Sequence, residues 1–530
     1  MTRSAARDRA VRVRPVVPVA LVALLTVAAG VPAGTADAGA ATVRVAAIDR
    51  SGRTSGIAAS AVNLATGKVV GLDAGTGAAL PTGRYAIGAY IGESPALTVA
   101  TRTVTVSRST TVTFDTRKAH KVTFDVGDAG VRPVDLAVVP FARAKGKEKA
   151  FIPAYTQKWP AADTYVLPDS ATGVRLGIHG VLGTPGASGR VRYDLAYALE
   201  GMPSKVSFTT SRAKLARVEL NVTTVDGDQN SWLGLTARQK NLSPVTGVKV
   251  GAPVLGRQTD YRTPNLQWGS VLAMNSLTGG SAFLEEGRKA GKLIYAAGKA
   301  YHEDWGLGVW APRPTTPAIF AANGRLTVAG GPPICAFNGT GVTLTSCQLQ
   351  PQSFSYTLSR AGKSLGTGEA ITAAIDASTA RWYTATMSAT RNGTGDLASR
   401  VSARWYFQAG GTTREETPTA IIIHENRVLP GYIRILPKGA DSRNRVAGGT
   451  PTTLTLTVQQ FGKVAAMKVA YSTDGGKTWT PAKVTRKGGA FLAAVPAPSS
   501  GAVSLRATAR GPSGASIALT AINAYGVKGA

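Results

Sequence analysis

The chain reads as all-β: several tandem antiparallel β-sandwich modules with little helix. Three observations predict this. Segments such as "TVRVAAI", "TVTF" and "TTLTLTVQQ" alternate apolar and polar residues with the period of two of a half-buried strand. Gly, Asn and Asp clusters punctuate the segments where hairpin turns are needed. Composition completes the argument: 44% of residues are hydrophobic and only 17% charged, so real cores can be buried. At roughly 150 residues per domain, 530 residues make about three or four modules.

Residues 1–40 read as a general secretory signal peptide. Arg3, Arg7, Arg9, Arg12 and Arg14 precede the apolar stretch "VVPVALVALLTVAAGVPAG", and the small residues of "TADAGA" fit cleavage after Ala38 or Ala40. The expected product is secreted and extracellular, with no membrane span after cleavage. No twin-Arg pair precedes the apolar stretch.

Residues 41–118 alternate around turns at Asp49–Gly52 and Ala65–Gly67, then give "LPTGRYAIGAYI" and the Thr/Val-rich "ATRTVTVSRSTTVTFDTR", a small antiparallel sandwich. On Asp49-x-x-Gly52 and Pro81-x-Gly83-x-Tyr85, this stretch resembles the prealbumin-like β-sandwich, also called the carboxypeptidase regulatory-like domain. The resemblance implies a non-catalytic module and transfers no ligand residues.

Residues 119–210 continue as a β-rich module through "KVTFDV", "VDLAVVPF", "GVRLGIHGVL" and "VRYDLAYALEG". Residues 211–325 are expected to begin with a short helix in "SRAKLARVEL", where Ala213, Leu215, Ala216 and Leu220 stand at near-helical spacing, and to continue as a Trp-rich β region. Residues 326–425 read as a further β-sandwich, with Trp382, Trp405 and Phe407 turned inward. Residues 426–530 match the strand spacing of an immunoglobulin-like sandwich.

The chain holds 60 Lys or Arg against 30 Asp or Glu, a formal charge of +30. Residues 426–530 hold 14 bases and 2 acids, a net +12, whereas residues 41–118 hold 9 and 4, a net +5. The bases are interspersed with Thr and Val and make no run of five or six, so no nucleic-acid-binding arm is expected; a polyanion-binding face remains open beside a merely solvated surface.

"YSTDGGKTW" carries the Asp-box spacing, Ser472-x-Asp474-x-Gly476-x-x-Trp479. Sialidase chemistry needs repeated blades, an arginine cluster and a tyrosine nucleophile, whereas this motif occurs once; Asp474, Gly476 and Trp479 read as a structural turn. Cys335 and Cys347, a pair in an exported chain, are expected to form a disulfide. "DGDQNS" offers Asp226, Asp228 and Asn230 at alternate positions of a calcium loop, but Ser231 stands where the turn needs glycine and no Glu closes it. His302, Glu303 and Asp304 are adjacent, so a strand would send neighbours to opposite faces. No metal site and no cofactor are predicted. Trp268, Trp305 and Trp310, with Tyr261 and Tyr301, could stack sugars if exposed or fill a core if buried.

From about Thr42 onward, the order of "PTGRY", "AKLARVE", "TDYRTPNLQWGS", "YHEDWG", "LSRAGKSLGTGE", "SRVSARWYF" and "VAYSTDGGKTW" is similar to the non-catalytic C-terminal accessory half of large secreted actinobacterial subtilisin-like proteases. The catalytic domain of that family has no counterpart here: no Gly-Thr-Ser-Met-Ala run or Gly-x-Ser-x-Gly elbow occurs, and His179 in "GIHGVLGT" reads as a strand histidine. The resemblance implies a secreted binding or scaffolding protein rather than an enzyme. Its expected partners are an anionic cell-wall polymer, a glycan or another secreted protein. The alternatives are a carbohydrate-binding module array, and a protease-associated protein or hydrolase whose site the sequence does not display.

Overall fold

A computed structural model describes residues 40–529. Excepted are 94–95, 152–155, 159–162, 171–172, 185–190, 223–231, 240–242, 248–249, 254–255, 276–280, 288–293, 306–307, 313–317, 323, 330–333, 336–342, 349–351, 377, 392–396, 411–413, 418–419, 424–425, 429–430, 442 and 460. The fold is all-β, and among the described residues the only helical pieces are two 3-10 turns, Thr116–Lys118 and Arg212–Lys214. The signal-like segment and the calcium-loop candidate "DGDQNS" lie outside the described residues.

Two layers form the first sandwich. Ala40–Ile48 pairs antiparallel with Ala78–Pro81 and parallel with Thr110–Asp115. Ile57–Asn63, Gly83–Glu93 and Ala96–Val106 build the facing sheet. The alternating Val43, Val45, Tyr85, Ile87, Ile91 and Phe114 fill the space between them. Both quoted motifs here are turn chemistry. Asp49 accepts from the Ser51 and Arg53 amides while Gly52 takes φ +85°, and the Tyr85 hydroxyl donates to the Pro81 carbonyl at 3.0 Å. Thr164–Val166 joins this sandwich by pairing parallel to Leu97–Val99, so the chain returns to it after residue 118.

The middle sandwich rests on an 8-stranded sheet containing β1 (Arg132–Ala144), β2 (Val174–Gly183), β3 (Val191–Glu200), β4 (Ala216–Val222), β5 (Gly256–Arg262) and β6 (Ala300–Trp305). Their spatial order is β1-β2-β3-β5-β4-β6. The helix expected in "SRAKLARVEL" is a correction: Arg212–Lys214 makes one 3-10 turn and the rest is strand β4. Ala216, Val218, Leu220 and Val222 are buried at a period of two, and that pattern on a sheet outweighs the weaker period-3.6 pattern of the same letters.

The last region is organised by a 9-stranded sheet that includes β7 (Gln352–Arg360), β8 (Lys363–Gly368), β9 (Arg381–Arg391), β10 (Arg400–Ala409), β11 (Ala466–Ser472), β12 (Gly501–Arg510) and β13 (Ser516–Lys528). The order β8-β7-β9-β10-β13-β12-β11 crosses the boundary expected near residue 425, because β10 pairs with β13 from Arg400↔Ile522 to Tyr406↔Ser516. Residues 326–425 and 426–530 therefore share one sheet. The inward face carries Tyr356, Tyr383, Met387, Trp405, Phe407 and Leu519, in a core that runs from Ala196 to Val527. Trp405 also satisfies its indole by donating to the Gly431 carbonyl at 2.8 Å.

Candidate functional site

Two faces of the molecule gather chemistry-bearing side chains. The first lies inside the middle sandwich. On β3, Arg192-Tyr193-Asp194 sends the two charges to one face and the tyrosine to the other, and on β5 the mirrored Asp260-Tyr261-Arg262 does the same. The strands pair parallel, setting Arg192 opposite Asp260 and Asp194 opposite Arg262. On the far face Tyr193 and Tyr261 stack at 5.0 Å. Asp135, His179, Arg192, Asp194, Asp260, Arg262 and Glu303 all lie on the charged face, and none is more than 4% exposed.

Arg192 grips Asp194 at 2.5 and 2.9 Å and donates to the Leu233 carbonyl of the facing sheet at 2.8 Å. Arg262 reaches Asp260 at 2.7 Å and forks onto both Glu303 oxygens at 2.9 and 3.1 Å. Tyr295 and Trp305 donate to the same carboxylate. His179 sets Nε2 3.3 Å from Asp194, its ring meets Trp268 edge-on at 5.4 Å, and its Nδ1 has no hydrogen-bond partner among the described residues. Nearby, Arg175 donates to the Pro244 carbonyl at 2.7 Å and, more distantly, to that of Val245. The close approach needs Gly177, whose Cβ would stand 1.6 Å from the Val245 oxygen.

Burial pushes the Asp260 carboxyl up to about 8, aided by the negative charge of Asp194 and opposed by Arg262 and Arg192. Burial acts the same way on Asp194 and Glu303, but the guanidiniums beside them and their hydrogen bonds outweigh it, and both are held below the ordinary carboxylate range. A histidine beside a carboxylate can serve acid–base chemistry only where a substrate can reach it. Here the imidazole and the Asp194 side chain are fully buried, and Arg192, which holds Asp194, ties the two sheets together through the Leu233 carbonyl.

Three tryptophans belong to the same interior. Trp268, Trp305 and Trp310 are 2%, 1% and 4% exposed, so the sugar-stacking expectation for them is corrected: no ring face is open. Trp268 donates to the Thr263 carbonyl at 3.1 Å and Trp305 to Glu303 at 3.2 Å, which gives each buried indole its partner. Cys335 lies on a short strand opposite Ala311 and Cys347 on one opposite Leu284; their side chains are outside the described set. Among the described residues no group of three His, Cys, Asp or Glu side chains is placed to hold a metal ion.

The second face is the outward side of the 9-stranded sheet. Its rows run across the strands: Thr367, Thr357, Thr386, Arg404, Ala518, Thr508 and Lys468 form one, and Ser359, Thr384, Tyr406, Ser516 and Arg510 form the next. Within β7 to β13 the charged residues are Arg360, Lys363, Arg381, Arg391, Arg400, Arg404, Lys468, Arg506, Arg510 and Lys528, without a single acid. Trp382 is also here, which corrects the expectation of an inward ring. It pairs with Gln408 on the solvent side and stacks on Tyr406 at 4.6 Å with 12° between the rings.

The Asp-box hairpin borders this face. The Ser472 hydroxyl donates to Asp474 at 2.6 Å, and Asp474 accepts from the Lys477 and Thr478 amides at 3.0 Å. Gly475 and Gly476 take φ +73° and +90°, and Trp479 closes the turn by donating to the Gly476 carbonyl at 2.9 Å. These bonds hold the Asp474 carboxyl well below its ordinary range, first through Ser472 and Thr478. The Arg506 guanidinium lies 4.0 Å over the Trp479 ring.

No family model matches the chain, and no curated protein matches it. Among solved structures, it is similar to a structure titled "Ca2+-stabilized adhesin helps an Antarctic bacterium reach out and bind ice", at 10% identity and a TM-score of 0.15, over 84% of this chain and 94% of that one. It is also similar to a putative adhesin from Bacteroides ovatus, at 8% identity and a TM-score of 0.12, over 59% of this chain and 92% of that one. Overlaps this slight carry no functional argument.

Proposed function

We propose that this chain is a secreted, non-catalytic binding or scaffolding protein, the counterpart of a subtilase accessory half, that holds an anionic polymer against its basic C-terminal region. One observation carries the reading: the solvent face of the long sheet is studded with bases, and its strands contain no acid. A surface of one sign attracts a polyanion over several ångströms, and salt weakens the attraction. The sealing of His179 and Asp194 supports the non-catalytic half of the reading. Among the described residues no helix is long and apolar enough to cross a membrane.

The test is retention of the purified chain on an immobilised polyanion. Retention at low salt that is lost as salt rises is expected, together with no turnover of peptide or glycoside substrates. Retention that ignores salt, or turnover of either substrate, overturns the reading.

A further inference from the structure

The solvent face of the long sheet brings an aromatic ring, rows of hydroxyls and exposed cations together around Tyr406. We propose that this patch binds a linear polyuronate, a polysaccharide whose sugar rings carry carboxylates. The proposal rests on the polyanion reading above and names its ligand.

Tyr406 is 36% exposed, one of two large hydrophobic side chains exposed to that degree among the described residues. Trp382 covers one face of its ring, so the exposure that remains belongs to its other face and its edge. An aromatic face held rigid from behind is a platform for the C–H face of a sugar ring, which gains contact without losing side-chain freedom. Two guanidiniums flank it. Arg404 lies two residues away on β10, about 7 Å along the strand, and Arg510 two strands away through Ser516, about 10 Å across. Arg404, Arg510 and Lys468 are exposed and form no ion pair among the described residues. A carboxylate on a sugar stacked at Tyr406, or on the next ring, can therefore receive a guanidinium. The Ser and Thr rows between the bases donate and accept hydrogen bonds, as sugar hydroxyls do.

The combination discriminates between ligands. A neutral glucan uses the ring but leaves the cations idle, and inorganic polyphosphate uses the cations but offers nothing to the ring. Single-stranded nucleic acid supplies rings and charge, but its bases need a series of stacking side chains along a groove. Here one stacked pair stands on an open sheet.

Titration calorimetry on the full chain tests the proposal with an oligogalacturonate, a neutral oligosaccharide of the same length, inorganic polyphosphate and oligothymidylate. The oligogalacturonate is expected to bind best. Tyr406→Ser should weaken it roughly three- to tenfold while leaving polyphosphate binding unchanged. Arg404→Gln with Arg510→Gln should weaken oligogalacturonate and polyphosphate alike. Unchanged oligogalacturonate affinity in Tyr406→Ser, or equal or better binding of any of the other three ligands, overturns the proposal. If polyphosphate alone binds, the polyanion reading stands and this inference falls; if no anion binds at low salt, both fall.

Discussion

The β1–β6 sheet and the long β7–β13 sheet each carry charged residues at a period of two, yet one turns them toward its partner layer and the other toward water. In the first, both signs occur and are paired: Arg192 holds Asp194 and Arg262 holds Glu303, while parallel register sets the two tripeptides side by side. In the second, only bases occur. Mixed charges can be desolvated because each finds its counter-ion, whereas charges of one sign must stay wet or find an outside partner. The inner network therefore acts on the fold. A one-residue slip between β3 and β5 would send "RYD" and "DYR" to opposite faces and strand every charge, so the mirrored tripeptides fix the register. The outer bases leave their charge available for recognition.

The comparison breaks most readily at Arg262. Replacement by Met leaves the ionised Glu303 buried without its guanidinium, and an uncompensated buried charge costs about 3–5 kcal/mol. Chemical denaturation of Arg262→Met should show a loss of that order, and a loss no larger than that of Arg404→Gln on the outer face would end the distinction. Removal of rings from the two sides of β9 and β10 sharpens it. Trp405→Ala should cost about 3–5 kcal/mol as a core truncation; Trp382→Ala, on the wet side, should cost clearly less. Equal losses would place Trp382 in the core after all.

The inner network also sets a pH dependence. Asp260 has a folded value of about 8, above its ordinary 3.8, so the folded state binds its proton more tightly than the unfolded chain does. Its contribution is fully present below 3.8 and is lost as pH rises toward 8. Asp260→Asn mimics the protonated form and should flatten the fall in unfolding midpoint between pH 4 and pH 8. A mutant with the wild-type slope would show that Asp260 is ionised in the fold.

Much of this fold was legible because strand alternation is local. "TVRVAAI" and "TTLTLTVQQ" need nothing beyond their own letters to read as half-buried strands. What the letters leave open is which parity faces inward when both are bulky. β9 offers Trp382 and Tyr383 side by side, and Tyr383, 1% exposed, takes the interior. The charged network was visible as "VRYDLA" and "TDYRT", but the pattern gains meaning only once parallel pairing sets one tripeptide against the other. The boundary expected near residue 425 failed for a similar reason: strand spacing is local, whereas the β10–β13 pairing joins residues more than a hundred positions apart. The Trp-rich middle gave no sign of which rings were covered, because burial of Trp268 and Trp305 depends on a second sheet and a charged partner layer.

The smallest expected effect tests whether the Asp box belongs with the inner network, as a folding device, or with the outer face, as a recognition one. Asp474 is held below its ordinary 3.8 by Ser472, Thr478 and the turn amides. A carboxyl lowered in the fold contributes stability above its unfolded value and loses that contribution as pH falls. Asp474→Ala should therefore lower the unfolding midpoint modestly at pH 7, and the gap to wild type should narrow as pH falls below 3.8. The turn also seats Trp479 beneath Arg506, so loosening it should show as a change in tryptophan emission. An Asp474→Ala protein with the wild-type midpoint at every pH but weakened polyanion retention would move the hairpin to the recognition side of the comparison.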